Sequence, residues 1–167
     1  LLQSSLVSLL VAFAGIAVYI SFRYDRRYAF LALVALAHDV VIVCGIFAWL
    51  GLFFQLEVDS LFAVALLTIA GYSVNDTVVV FDRIRERTQQ ASDLPLKIQV
   101  DQAVSATLTR TLYTSGTTLM PLLALVFFGG ATLYWFAIAL AIGVVVGSWS
   151  SIALAPSLLT LWEPQGD

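Results

Sequence analysis

Five stretches of this chain stay apolar over lengths that suit a bilayer better than the core of a water-soluble domain, and this constrains the fold more than any motif does. Crossing the roughly 30 Å hydrocarbon layer takes about 20 mostly apolar residues in a helix rising about 1.5 Å per residue. Stretches near 6–22, 28–52, 60–81, 107–128 and 132–161 meet that requirement. The strict alternation of a barrel strand is absent, so each is read as a helix. The expectation is an all-α integral membrane protein, a bundle of five transmembrane helices. Composition agrees: 60% of residues are apolar and 11% charged, against about a quarter charged in an average soluble domain.

The basic residues set the orientation. Arg23, Arg26 and Arg27 fall between the first two stretches, and Arg83, Arg85, Arg87 and Lys97 between the third and fourth, with Arg110 at the far edge. The connection at 53–59 carries only Glu57 and Asp59, and the one at Gly129–Gly130 carries no charge. Positively charged connections stay in the cytoplasm, so the first and third are expected inside. The N-terminus then starts outside and the tail after Trp162 ends inside. The start also lacks an initiator Met, a basic leader region and a small-x-small cleavage site, which suggests an internal or C-terminal piece of a longer protein. Residues 82–106 are expected to form a cytoplasmic loop. Within it, Ser92-Asp93-Leu94-Pro95 reads as a helix start, and the mixed segment that follows suits a helix on the membrane surface. No basic run with interleaved aromatics points to nucleic acid. The single Cys44 reads as a small buried apolar residue.

Chemistry concentrates on a few polar residues inside the spans. Asp76 lies in the third, and an ionisable residue there costs about 2.5–3.5 kcal/mol on the insertion scale, so its default reading is functional. Helical spacing places Thr68, Tyr72, Ser73 and Asp76 on one face, with Thr77 and Val80 nearby. A carboxylate held away from water is suited to taking up and releasing a proton; the alternative is a hydrogen-bonding partner for a neighbouring helix. Arg110 shares a face with Thr114, Thr117 and Thr118 and should lie at a depth similar to that of Asp76. It either snorkels to the interface or acts on the carboxylate electrostatically, since an arginine keeps its proton. His38 and Asp39 form a third polar spot. Adjacent helical positions point about 100° apart, so the two are not expected to face one site. A proton relay and simple helix–helix hydrogen bonding stand as equal readings. One histidine without a second ligand at helical spacing argues against a metal.

Ala139, Gly143, Gly147, Ser151 and Ala155 recur every four residues along the last span, a stripe that lets another helix approach closely. Pro121 and Pro156 are expected to kink or break the hydrogen-bond ladders of their spans.

At GYSVNDTVVVFDRIRE, residues 71–86, the chain resembles the SecF family, the smaller half of the SecDF protein-export membrane complex. A second block, TLTRTLYTSGTT at 107–118, resembles that family's fifth-helix motif, and Ala37-His38-Asp39 falls where the family has its third-helix pair. The likeness covers most of 29–155. It implies one half of a resistance-nodulation-division fold, which has six spans and a periplasmic domain after the first. This chain would supply spans two to six, without the first span or the periplasmic domain. It further implies that Asp76 is the proton-path carboxylate and Arg110 the arginine that gates it. His38, Asp39, Tyr72, Ser73, Asn75 and Thr114 are further candidates for that path. The implied partners are SecD, which supplies a matching carboxylate, the SecYEG channel, exported polypeptides and membrane lipids. Protons would be the coupling ion, with no other cofactor and no enzymatic reaction. The implied site is the bacterial cytoplasmic membrane, or a thylakoid membrane. The energy scale is adequate, because one charge crossing 100 mV is worth about 2.3 kcal/mol.

Three other readings compete. A resistance-nodulation-division exporter of small molecules or lipids would share this membrane half, and a purely structural subunit would need no titrating carboxylate. An intramembrane protease finds no support: Gly71-Tyr72-Ser73 is followed by Val74 rather than glycine, and no GxGD or HExxH occurs. The orientation is testable by itself. Cysteines introduced at 82–106 are expected to be protected from an impermeant thiol reagent added outside, and cysteines at 53–59 to react. The reverse pattern would overturn it.

Overall fold

A computed structural model describes residues 2–90 and 93–162, and among these only helices and short connections occur. The helices are α1 (Leu2–Arg23), α2 (Arg26–Phe54), α3 (Ser60–Gln90), α4 (Leu96–Phe128), α5 (Gly130–Trp149) and α6 (Ala155–Trp162). A π-helical turn, Ser150–Leu154, joins α5 to α6. Together α5, the turn and α6 make one 33-residue element, so the described chain holds five helical elements long and apolar enough to cross a membrane.

The third helix is the axis of the bundle. It packs against every other helix, and more than half of its most apolar window is buried, whereas little of α1 is fully buried. Such an arrangement explains why α3 can carry polar side chains: its neighbours, not lipid, surround them. Two apolar clusters hold the bundle. One lies toward the α3–α4 connection, around Leu36, Phe81, Ile84 and Val100; the other lies toward the α2–α3 connection, around Val43, Phe47, Ile69 and Leu140.

Helix ends follow local chemistry. The Asp59 carboxylate accepts from the Leu61 and Phe62 amides at 2.9 and 3.3 Å, satisfying two of the free N–H groups that open α3. Gly130 takes φ +75, a left-handed conformation with little penalty for glycine, and this turns the chain from α4 straight into α5. Where α1 turns into α2, Arg23 pairs with Asp82 at 3.4 Å, and the Tyr24 hydroxyl donates to the Val78 carbonyl at 3.3 Å. Burial first, then the Asp82 carboxylate, push the Tyr24 phenol well above its usual range, so it remains a neutral donor.

The expected loop at 82–106 is mostly helix. The third helix continues to Gln90, and α4 begins at Leu96 behind Pro95. At about 1.5 Å per residue, α3 and α4 are each longer than a roughly 30 Å hydrocarbon layer requires. The segment expected to lie on the membrane surface instead runs unbroken into the fourth span, because Val100 and Ala103 bury themselves in the same cluster as Ile84 and Phe81. Ser92, placed at the helix start, lies outside the described residues, as does the tail after Trp162. Pro121 sits inside α4 without ending it. Pro156 follows the π turn, where the Ala155 amide reaches the Ser150 carbonyl, and it has no N–H of its own to continue an α-helical ladder.

The small-residue stripe packs within the chain, against α3. A Cβ on Gly143 would collide with the Ile69 side chain, and one on Gly147 would lie 3.2 Å from Ser73 Cβ. Gly143→Val is therefore expected to destabilise the protein by about 1–3 kcal/mol. Gly45→Ala, where an added Cβ meets nothing within 4 Å, should be neutral or stabilising. Thermal unfolding in detergent compares them; equal midpoints would mean that Ile69 yields and the contact is loose.

Candidate functional site

Where α2, α3, α4 and the last spanning element meet, the bundle buries two carboxylates and a set of hydroxyls. Asp39 is 0% exposed and Asp76 4%. Around them Ser73, Thr77, Thr111, Ser115, Ser148, Ser150 and Ser151 are also buried. Polar groups at this depth have no water to turn to, so each needs a partner in the protein.

The two carboxylates are held very differently. Asp39 is gripped from three sides. Ser73 of α3 and Ser150 of the π turn both donate to its Oδ2, the latter at 2.7 Å, and the His38 ring meets its Oδ1 at 2.9 Å. Among the described residues Asp76 has one hydroxyl donor, Ser148, at 3.5 Å. A carboxylate locked by several donors is hard to turn or displace, whereas one with a single long contact can rearrange at small cost to its surroundings. Among the described residues Asp76 and Arg110 form no direct ion pair, and Arg110 lies exposed on α4.

Behind Ser148 runs a line of hydroxyls. Ser148 Oγ touches Ser115 Oγ, Tyr72 donates its phenol to Ser115 Oγ at 3.2 Å, and Ser115 can also donate to the Thr111 carbonyl at 2.7 Å. Each hydroxyl has one hydrogen to give. With Asp76 ionised, the hydrogens can all point one way, from Tyr72 through Ser115 and Ser148 to the carboxylate. If Asp76 gains a proton and donates to Ser148, the Ser148 hydrogen must turn toward Ser115, whose own hydrogen still has the Thr111 carbonyl. Both states are satisfiable by rotation alone, without moving a helix.

The residues singled out by sequence are placed as follows. Asp76, Tyr72, Ser73, Asp39 and His38 all belong to this buried polar centre. His38 departs from the expectation that it and Asp39 could not share a site: the imidazole is long enough to bend back onto the neighbouring carboxylate. Asn75 is exposed on the opposite face of α3, and Thr68 likewise turns outward, donating to its own helix at Val64. Thr114 donates to the Arg110 carbonyl at 2.9 Å rather than reaching the carboxylates. Ser151 bonds back to the Ser148 carbonyl at 3.0 Å. Gly147 matters twice, since its missing side chain also leaves room beside Asp39 Oδ2, which a Cβ would approach to 3.6 Å. Sequence reasoning missed Ser115, Ser148 and Ser150. Their signal was present in Ser148-Trp149-Ser150-Ser151, a hydroxyl-rich patch in an otherwise apolar span.

Comparison with known proteins gives consistent matches. A family model described as protein export membrane protein SecD/SecF, C-terminal, matches residues 1–165. A protein translocase subunit SecF from Prochlorococcus marinus is 74% identical over 96% of the chain and 50% of its own length. A SecF from Synechocystis is 48% identical over 98% of the chain and 52% of its own length. A SecDF from Thermus thermophilus is 42% identical over 96% of the chain and 21% of its own length. A crystal structure of SecDF in a super-membrane-facing form superposes with a TM-score of 0.84 at 44% identity, covering 92% of the chain and 20% of the other. The chain thus spans about half the length of the SecF relatives it matches.

Thr77 offers a test of the packing around Asp76. Among the described residues its buried hydroxyl has no hydrogen-bond partner, a cost of about 1–3 kcal/mol. Thr77→Val keeps the shape and is expected to leave thermal stability unchanged or raise it. Ser148→Ala, which strips Asp76 of its hydroxyl donor, is expected to lower it. Loss of stability on Thr77→Val would mean that the hydroxyl has a partner.

Proposed function

Because the chain belongs to the SecD/SecF C-terminal family of protein export membrane proteins, we propose that it is the membrane part of a SecF subunit that uses proton movement to promote polypeptide export. The observation that carries the reading is Asp76: a carboxylate 4% exposed, in the central helix of a multi-pass membrane protein, with a single hydroxyl donor and a line of reorientable hydroxyls behind it. That combination suits a group that changes protonation repeatedly.

In the proposed cycle Asp76 takes a proton from one side of the membrane and loses it to the other. Arg110 favours the ionised form when near and relinquishes it when α4 shifts. The hydroxyls of Ser148 and Ser115 turn over as Asp76 changes state, so each state keeps its hydrogen bonds. One charge crossing 100 mV supplies about 2.3 kcal/mol, enough to bias a conformational step between two states of similar energy. The proton is the coupling ion, and no other cofactor enters the scheme. The relatives' names support export of protein over export of small molecules. They also support SecD as the partner, since the Thermus thermophilus relative is a SecDF. The SecYEG channel and the exported chain complete the proposed assembly, in the bacterial cytoplasmic membrane or, in a photosynthetic cell, the thylakoid.

Asp76→Asn tests the reading in the complete SecD–SecF complex. Asparagine keeps the size of the side chain and cannot titrate. The variant is expected to assemble normally and to lose the protonophore-sensitive part of export into energised vesicles. Asp76→Glu should keep part of it, and Arg110→Lys should lose more than its unchanged charge suggests, because an ammonium lacks the guanidinium fork. Full protonophore-sensitive export by the Asn variant would make Asp76 structural.

A further inference from the structure

We propose that Asp39 is a positioning residue for Asp76, acting by pinning the π-helical turn at Ser150–Leu154 so that Ser148 is held in register to donate to the Asp76 carboxylate. The inference rests on the reading of Asp76 given above.

Two adjacent residues of α2 grip two adjacent residues of the last spanning element. Asp39 Oδ2 takes the Ser150 hydroxyl at 2.7 Å, and the His38 ring lies against the Trp149 ring with centroids 6.1 Å apart. The same Asp39 oxygen takes Ser73 from α3. One buried carboxylate therefore ties α2, α3 and the π turn together at a single point. It does so from full burial, where a hydrogen bond is electrostatically stronger than one in water.

The point is well placed to set Ser148. Ser148 lies two residues before Ser150, on the turn that the Ser150 amide closes by donating to the Gly147 and Val146 carbonyls. The Ser150 hydroxyl also reaches the Gly147 carbonyl at 3.1 Å, and the Ser151 hydroxyl reaches the Ser148 carbonyl at 3.0 Å. A π turn is a local widening of the helix, often found at functional sites; in the proposal, loss of the Asp39 anchor lets it settle into a regular α turn. Relaxation would rotate the flanking segment and move Ser148 relative to Asp76. Its contact there is already long, at 3.5 Å, so a small rotation suffices to break it. Asp39 makes three contacts and Asp76 one, which fits a fixed anchor beside a working group.

The test uses the complete SecD–SecF complex carrying Asp39→Asn, Ser150→Ala, Ser148→Ala or the Ser148→Ala/Ser150→Ala pair. Asp39→Asn and Ser150→Ala are each expected to cut protonophore-sensitive export about tenfold, the loss typical of a hydrogen bond to a charged group. If Ser150 acts only through Ser148, the double variant is no worse than Ser148→Ala alone. Amide hydrogen exchange at 150–155 should rise about tenfold in Asp39→Asn and Ser150→Ala and stay unchanged in Ser148→Ala. Multiplying losses in the double variant, or unaltered exchange with Ser150→Ala, would overturn the proposal. If Asp39→Asn does not assemble, Ser150→Ala, which removes one oxygen, decides. Exchange does not depend on activity: should Asp76→Asn keep full export, the proton reading fails while the exchange result still judges the role of Asp39.

Discussion

The close approach of the last spanning element to α3 is the contact on which the polar centre depends. Gly143 lets the Ile69 side chain into the space that a Cβ would fill, and Gly147 brings the backbone against Ser73. Only at that separation can the short side chains of Ser148 and Ser150 reach carboxylates on α3 and α2. Longer side chains could bridge a wider gap but would cost more rotamer freedom and leave polar atoms exposed to lipid. The apolar clusters on either side fix the approach, so packing and site are one problem.

The two aspartates share the same buried interior and differ in what surrounds them. Asp39 gathers donors from two helices and the π turn, whereas among the described residues Asp76 has a single long contact. A hydrogen-bond network in a membrane is usually described by what it joins. Here the uneven sharing of donors carries as much information.

Much of this was legible in the sequence. Apolar length alone defines the five spanning elements, because a bilayer sets a hard minimum. Asp76 stands out because charge in such a stretch is costly. The four-residue stripe identifies the face that packs on α3. Other features depend on things hydropathy does not see. The helices of α3 and α4 extend beyond the apolar limit because Ile84, Val100 and Ala103 bury one another, a contact between segments far apart in the chain. Ser148 and Ser150 looked neutral because a serine in a helix can satisfy itself on its own backbone; which carboxylate each meets is decided by the rotation of the element that carries it. His38 was placed by the angle between adjacent Cα–Cβ bonds, which ignores the reach of the ring.

The π turn also resolves a difficulty in the stripe itself. Positions four apart on an α-helix drift by about 40° per step, so over the four steps from Ala139 to Ala155 the ends of a regular stripe would face nearly opposite directions. Both are nonetheless 0% exposed. The extra residue accommodated in the wider turn sets the helical phase back by about 100°, returning the end of the stripe toward the interior. The turn thus works as a phase corrector. It lets one straight-looking pattern of small residues line a single seam across the depth of the bundle, and it places Ala155, Pro156 and Leu159 back in the core.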